Sequence, residues 1–341
     1  MAGLPATEPG SARPVERASG AVLLVGGTGF IGSAVLRQLL GEADAPRTAP
    51  QLRVLSRRPP AGRPETAGLR YLAGDLMDRS TLRGSCSGAD VLVHTASYVG
   101  RDSRKCHDIN YAGTQALLEE AQRAGVRRVV YVSTASVYGS GPHRGVREGE
   151  LGPAPGSAAS ASRLGAERAV RDARGIVLRP HLVYGAGDRW FVPALARLLR
   201  RVPAWPMGVS SAGSLVAVDD LARIVAALVR APLGPGAEPG EPYHVAHPSP
   251  VRMRRLVVLL CGLLGLPQPR TCASPEEHRV LAARGMPELS DHQHALLTQD
   301  HWYDSSRIWR RTGVDPGPGF EDRFAQCADW YRRHLADGVG T

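Results

Sequence analysis

The chain has 341 residues, 43% of them hydrophobic, which is enough to fill a core and excludes wholesale disorder. Its net charge of +10 rests almost wholly on arginine, Lys105 being the only lysine; the arginines are scattered and form no basic stripe interleaved with aromatics, so the charge reads as a solvated surface and nucleic acid is not the expected partner. The longest apolar run, LVVLLCGLLGL at 256–266, is too short to cross a bilayer, so no membrane partner is expected either.

Residues 1–19 lack the apolar stretch of a secretory signal and read as a flexible leader. AVLLV at 21–25 has strand length and runs into GGTGFIG at 26–32, after which Val35, Leu36, Leu39 and Leu40 keep helical spacing. Strands follow at 52–56 (LRVLS), 70–75 (RYLAGD) and 90–96 (DVLVHTA). A helix is expected over 108–124, a strand at 127–134 (RRVVYVST), a helix over 157–170 (SAASASRLGAERAV) and a strand at 175–180 (GIVLRP). This alternation predicts an α/β Rossmann fold over residues 20–180, with a doubly wound, mostly parallel sheet. Beyond 180 the rhythm loosens. Helical patterns at 190–201, 219–230 and 251–265 and a strand at 243–247 point to a smaller C-terminal substrate-binding region over 181–338, some of whose elements return to the Rossmann core. Residues 274–300 read as a helical lid. The five cysteines form no C-x-x-C pair, which fits a reduced, cytoplasmic protein without a metal site.

Gly26, Gly29 and Gly32 stand as G-x-x-G-x-x-G between a strand and a helix. The first permits the tight turn, the second lets the backbone approach a pyrophosphate, and the third lets helix and strand pack closely, with the helix N-terminus facing the phosphates. Thr28, Phe30 and Ile31 fill the same turn. At the end of the second strand an acid would bind ribose hydroxyls; this chain has Ser56, Arg57 and Arg58, which favour the 2′-phosphate of NADP(H) over NAD(H). Asp75, ending the third strand, either accepts from an adenine amino group or caps the next turn.

These segments, with GDL (74–76), HTAS (94–97), NYAGT (110–114), VSTASVYG (132–139), LRPHLVYGAGD (178–188) and VAVDDLA (216–222), resemble the extended short-chain dehydrogenases/reductases. The resemblance implies further cofactor contacts from Leu76, Thr95, Ala96, Ser97 and Pro180. It also implies a tyrosine acid and, four residues on, a lysine that lowers its pKa and holds the nicotinamide ribose, beside a serine or threonine that bonds the carbonyl. Thr134 matches the last. Aligned through Glu167, the tyrosine position holds Ala159 and the lysine position Arg163, and no Y-x-x-x-K occurs anywhere in the chain.

Reducing a ketone builds an alkoxide, which needs a proton or strong stabilisation. Ala159 supplies neither, and Arg163 keeps its proton, although it can hold ribose hydroxyls or add positive potential. Ser162, three residues on from Ala159, can bond a substrate but is a weak acid. His181, after Arg179-Pro180, titrates in a useful range and is either a participant or a structural histidine. The remaining donor is the substrate: a phenol beside the ketone can protonate it internally with a large effective molarity. The chain therefore resembles, within the family, the atypical angucyclinone ketoreductases of the simocyclinone-pathway type. That resemblance implies NADPH-dependent reduction of an aromatic-polyketide ketone in antibiotic biosynthesis. Tyr98, Val99, Tyr138, Trp190 and Phe191 are the expected apolar pocket walls, though each suits a core equally well. The rival reading is a non-catalytic NADP(H)-binding sensor or regulatory protein, which accounts for the lost pair without special chemistry.

Overall fold

The computed structural model describes residues 20–41, 51–60, 68–206, 210–232 and 242–337; the leader expected over 1–19 lies outside them. Seven strands make a parallel central sheet: β1 (Val22–Val25), β2 (Leu52–Ser56), β3 (Leu69–Ala73), β4 (Val91–His94), β5 (Arg128–Val132), β6 (Ile176–Pro180) and β7 (Pro242–Val245). Their order is β7-β6-β5-β4-β1-β2-β3. Near-continuous apolar runs such as VLLV and RVVYV suit strands covered on both faces.

Alternate residues feed two cores. Leu24, Val54, Val93, Val130 and Leu178 pack with residues of helices Phe30–Gly41 and Val218–Arg230. Leu23, Leu55, Leu92, Tyr131 and Val177 pack with residues of helices Gly113–Arg123 and Ala158–Asp172. The chain winds outward in opposite directions from β1 and β4, leaving a crevice beyond their carboxyl ends where a doubly wound sheet binds its ligand.

The helix expected over 108–124 begins earlier, at Ser103, and passes through wider turns at Cys106–Ala112 before Gly113–Arg123. Past residue 180 the chain divides its work. Helix Val218–Arg230 and β7 return to the central sheet, whereas Leu195, Leu198, Leu256, Leu260, Phe324 and Tyr331 belong to a separate core. A small sheet joins His143–Val146, His301–Tyr303, Ala212–Gly213 and Val251–Arg252. The sequence reading missed these strands because each is two to four residues long and pairs with distant chain, below the length at which alternation is visible. Within 274–300, helices Pro275–Gly285 and Asp291–Thr298 each open on a serine whose side chain and backbone are satisfied reciprocally, by Glu277 and Gln293 respectively. Among the described residues no helix is long and apolar enough to cross a membrane.

Candidate active site

A cleft of about 1260 Å³ runs beyond the carboxyl ends of the sheet and under the segment 288–297. Its floor begins at the glycine turn. Gly26 has φ +86°, and a Cβ there would sit 2.6 Å from the Ala96 nitrogen. A Cβ on Gly32 would lie 2.1 Å from the Gly26 carbonyl oxygen. Both positions therefore demand glycine, and the resulting bare backbone at a helix N-terminus fits the pyrophosphate of a dinucleotide. Thr28, Gly29, Phe30 and Ile31 line the cleft beside them. At the β4 end the wall is Thr95, Ala96, Ser97, Tyr98 and Val99. Thr95 donates its hydroxyl to the Val25 carbonyl at 2.9 Å, tying β4 to β1 under the turn.

On the adenosine side Ser56, Arg57, Asp75 and Leu76 reach the cleft. Arg57 and Arg58 are both exposed, but Arg58 is not on the cleft wall. Asp75 accepts from the Met77 nitrogen at 3.0 Å, so it caps the turn, and it also lines the cleft.

The opposite wall comes from β5, β6 and helix Ala158–Asp172. Thr134 caps the turn after β5, its hydroxyl oxygen accepting from the Ser136 nitrogen at 3.1 Å, which leaves its proton to donate. Ala159 and Arg163 both line the cleft. A terminal guanidinium nitrogen of Arg163 donates to the carbonyls of Val132, at 3.1 Å, and Ser133, so its charge is fastened behind Thr134. His181 lines the same wall, its pKa driven well below 6.5 by burial and by neighbouring imidazoles.

Three more expected positions lie off the wall. Ser162 donates to the Ala159 carbonyl and accepts from Asn110, each at 3.0 Å. Three residues on an α-helix turn about 300°, not a full circle, and the remainder rotates this hydroxyl toward the helix bearing Asn110. Pro180 is buried in β6. Tyr138 is buried in a polar chain, where Arg179 donates to its hydroxyl, which in turn bonds the His244 Nε2, both at 2.7 Å, and its ring stacks on Tyr303. Arg179 also holds Glu167 in a buried ion pair. Tyr138 is thus a core residue, as its apolar ring and paired hydroxyl require.

Trp190 and Phe191 stand at the mouth, Trp190 being 64% exposed. Asp188 positions them. Its carboxylate accepts from the nitrogens of Trp190 (2.8 Å), Phe191 (3.0 Å) and Val192 (2.9 Å) and from the Tyr331 hydroxyl (3.0 Å). Asn110 plays a similar part on the other rim, bonding both backbone groups of Tyr98. Sequence reasoning assigned neither a role, although a buried acid or amide beside a loop is a signal of such clamping. The segment 288–297 adds Leu289, His292 and Leu296 to the wall, and Arg101 reaches across to the Glu288 carbonyl. Among the described residues no group of three or more His, Cys, Asp or Glu could hold a metal ion.

Comparison with known proteins gives the fold a lineage. Residues 23–275 match the model of the 3-beta hydroxysteroid dehydrogenase/isomerase family. The chain is 28% identical to a 2-alkyl-3-oxoalkanoate reductase of Stenotrophomonas maltophilia, covering 88% of this chain and 96% of that protein. It is 29% identical to the 4-hydroxy-2-methyl-3-oxo-4-farnesyl-3,4-dihydroquinoline-1-oxide ketoreductase of Stigmatella aurantiaca over 71% of this chain and 73% of the relative. A crystal structure of the dTDP-glucose 4,6-dehydratase DesIV from Streptomyces venezuelae, with NAD bound, superposes with a TM-score of 0.71 at 27% identity, covering 92% of this chain and 98% of that one. The chain belongs to the 3-beta hydroxysteroid dehydrogenase/isomerase family, within the extended short-chain dehydrogenase/reductase kind of NAD(P)-dependent oxidoreductase.

Proposed function

We propose that this protein is an NADPH-dependent ketoreductase acting on a ketone of an aromatic polyketide of the angucyclinone type, of the kind found in simocyclinone biosynthesis, and that a phenol of the substrate supplies the proton. The observation that carries the reading is Ala159 on the cleft wall in place of a proton donor. The neighbouring groups do not replace it: Ser162 is spent on Ala159 and Asn110, burial drives the His181 pKa well below 6.5, and the Arg163 guanidinium donates to the Val132 and Ser133 carbonyls.

The bound dinucleotide would supply the hydride. Gly26, Gly29 and Gly32 would cradle its pyrophosphate, and Arg57 would pair with the 2′-phosphate. Thr134 would donate its hydroxyl proton as a hydrogen bond to the ketone oxygen, and Arg163, held behind it, would add positive potential where the alkoxide charge grows. Tyr98, Val99, Trp190 and Phe191 offer apolar surface for a flat ring system, and the segment 288–297 would shield the reacting atoms from water. A curated relative named as a ketoreductase of a dihydroquinoline supports the reaction class.

The test is NADPH oxidation followed with phenol-flanked aromatic ketones and with the same ketones methylated on that phenol. Methylation is expected to slow turnover about 100-fold, the scale of one general-acid contribution. Equal rates would overturn substrate protonation. Cofactor binding without turnover across the whole class would point to the sensor reading.

A further inference from the structure

Two guanidinium groups on the cleft wall have no part in reducing a ketone. Arg101 follows Tyr98 and Val99 at the β4 end, and one of its terminal nitrogens donates to the Glu288 carbonyl. Both Arg101 and Glu288 line the cleft, so this bond holds the Arg101 head group against it. A carbonyl takes up one N–H of the five that a guanidinium carries and leaves the charge uncompensated. Arg197 lines the cleft from helix Val192–Arg201, and both arginines are exposed. Ala194, three residues before Arg197, also lines the cleft, while Arg201, four residues after it, brings its guanidinium within 3.6 Å of the Glu288 carboxylate. Residues three and four apart share a helix face, so Arg197 stands on the stripe that runs from the cleft to Glu288. Arg101 meets the same segment from the other wall.

The acids of this wall do not answer these charges. The Glu288 carboxylate pairs with Arg201, and that of Asp291 lies 3.6 Å from Arg279; neither Arg201 nor Arg279 lines the cleft. Asp188 is occupied by three backbone nitrogens and the Tyr331 hydroxyl. Among the described residues Arg101 and Arg197 have no carboxylate partner. Cations left unpaired in a cleft concentrate anions there, and the planar guanidinium fork matches the two oxygens of a carboxylate.

We infer that Arg101 and Arg197 are specificity-determining residues that bind a carboxylate of the substrate, a recognition point additional to Thr134. The substrate class is accordingly an aromatic ketone that carries an acid group. This inference rests on the aromatic-ketone reading above and adds to it an anionic group that the reduction itself does not require.

The experiment uses the full chain saturated with NADP+ at about pH 7, where a carboxyl group is ionised. Its probes are two anthraquinones that differ at one ring position: rhein, which carries a carboxylate, and aloe-emodin, which carries a hydroxymethyl group. Quenching of tryptophan fluorescence reads both affinities. The wild-type protein is expected to bind rhein about 10-fold more tightly, the value of two exposed charged contacts. Arg101→Gln and Arg197→Gln should each reduce that preference to about 3-fold, and the double variant should abolish it, through weaker binding of rhein alone. Arg101→Lys, which keeps the charge and loses the fork, should retain more of the preference than Arg101→Gln. Equal wild-type affinity for the two probes would overturn the inference and leave the aromatic-ketone reading standing. So would an unchanged preference in Arg197→Gln, or equal weakening of both probes in Arg101→Gln, the mark of a residue that only braces Glu288. A wild-type protein that binds NADP+ and neither probe would overturn the aromatic-ketone reading and this inference with it.

Discussion

The two sides of the cleft are built on different principles. On the cofactor side, seven consecutive residues set the floor: the turn Gly26–Gly32 works because two of its glycines leave no room for a Cβ. On the substrate side no stretch of that length suffices. Thr134, Ala159, His181, Trp190 and His292 come from five separate places in the chain and are held by long-range contacts among buried polar groups. A local site depends on backbone shape, whereas a dispersed one depends on the protonation and packing of its framework.

The sharpest way to break this contrast is at the turn. Gly32→Val places carbon where the Gly26 oxygen already sits, and overpacking of 1–3 kcal/mol or more corresponds to about a 100-fold loss of NADPH affinity by fluorescence titration. An affinity within a factor of two of wild type would show that the turn is not the cofactor floor.

The dispersed side should respond to acid. Burial lowers the pKa of His244, His278 and His301 to about 4 each, with His294 also depressing His278. An unfolded histidine takes its proton near 6.5. Between those values the unfolded chain binds more protons, so stability is full above about pH 6.5 and falls as the pH drops toward 4. The slope is about 1.4 kcal/mol per pH unit for each histidine fully titrating in one state only. Denaturant midpoints measured from pH 7 to 5 should decline accordingly, and a flat profile would refute the arrangement.

The smallest effect separates two adjacent arginines. Arg57 lies on the cleft wall and Arg58 does not. Arg57→Ala is expected to weaken NADPH relative to NADH by about 10-fold, the scale of a charge-assisted contact in partial solvent. Arg58→Ala should change the ratio by less than about 2-fold. Reversed outcomes would move the 2′-phosphate to the second arginine.

The same contrast explains how far the sequence could be read. Strand–turn–helix order, the glycine spacing and the absence of any Y-x-x-x-K are local patterns, and they are visible without coordinates. Tyr138 could not be placed, because an aromatic beside a catalytic motif has the same composition whether it faces the cleft or, as here, joins Arg179 and His244. Ser162 follows Ala159 by three residues, and whether its hydroxyl meets the cleft or, as here, Asn110 depends on a rotation about the helix axis; Asn110 and Asp188 act through bonds to backbone that is brought near only by folding.

The Tyr331–Asp188 bond has a consequence for the mouth of the cleft. The family match ends at residue 275, yet the hydroxyl that steadies the Trp190 loop comes from 143 positions further along the chain than its partner. A change in the last helix at Tyr331 would therefore reach the mouth of the cleft through Asp188.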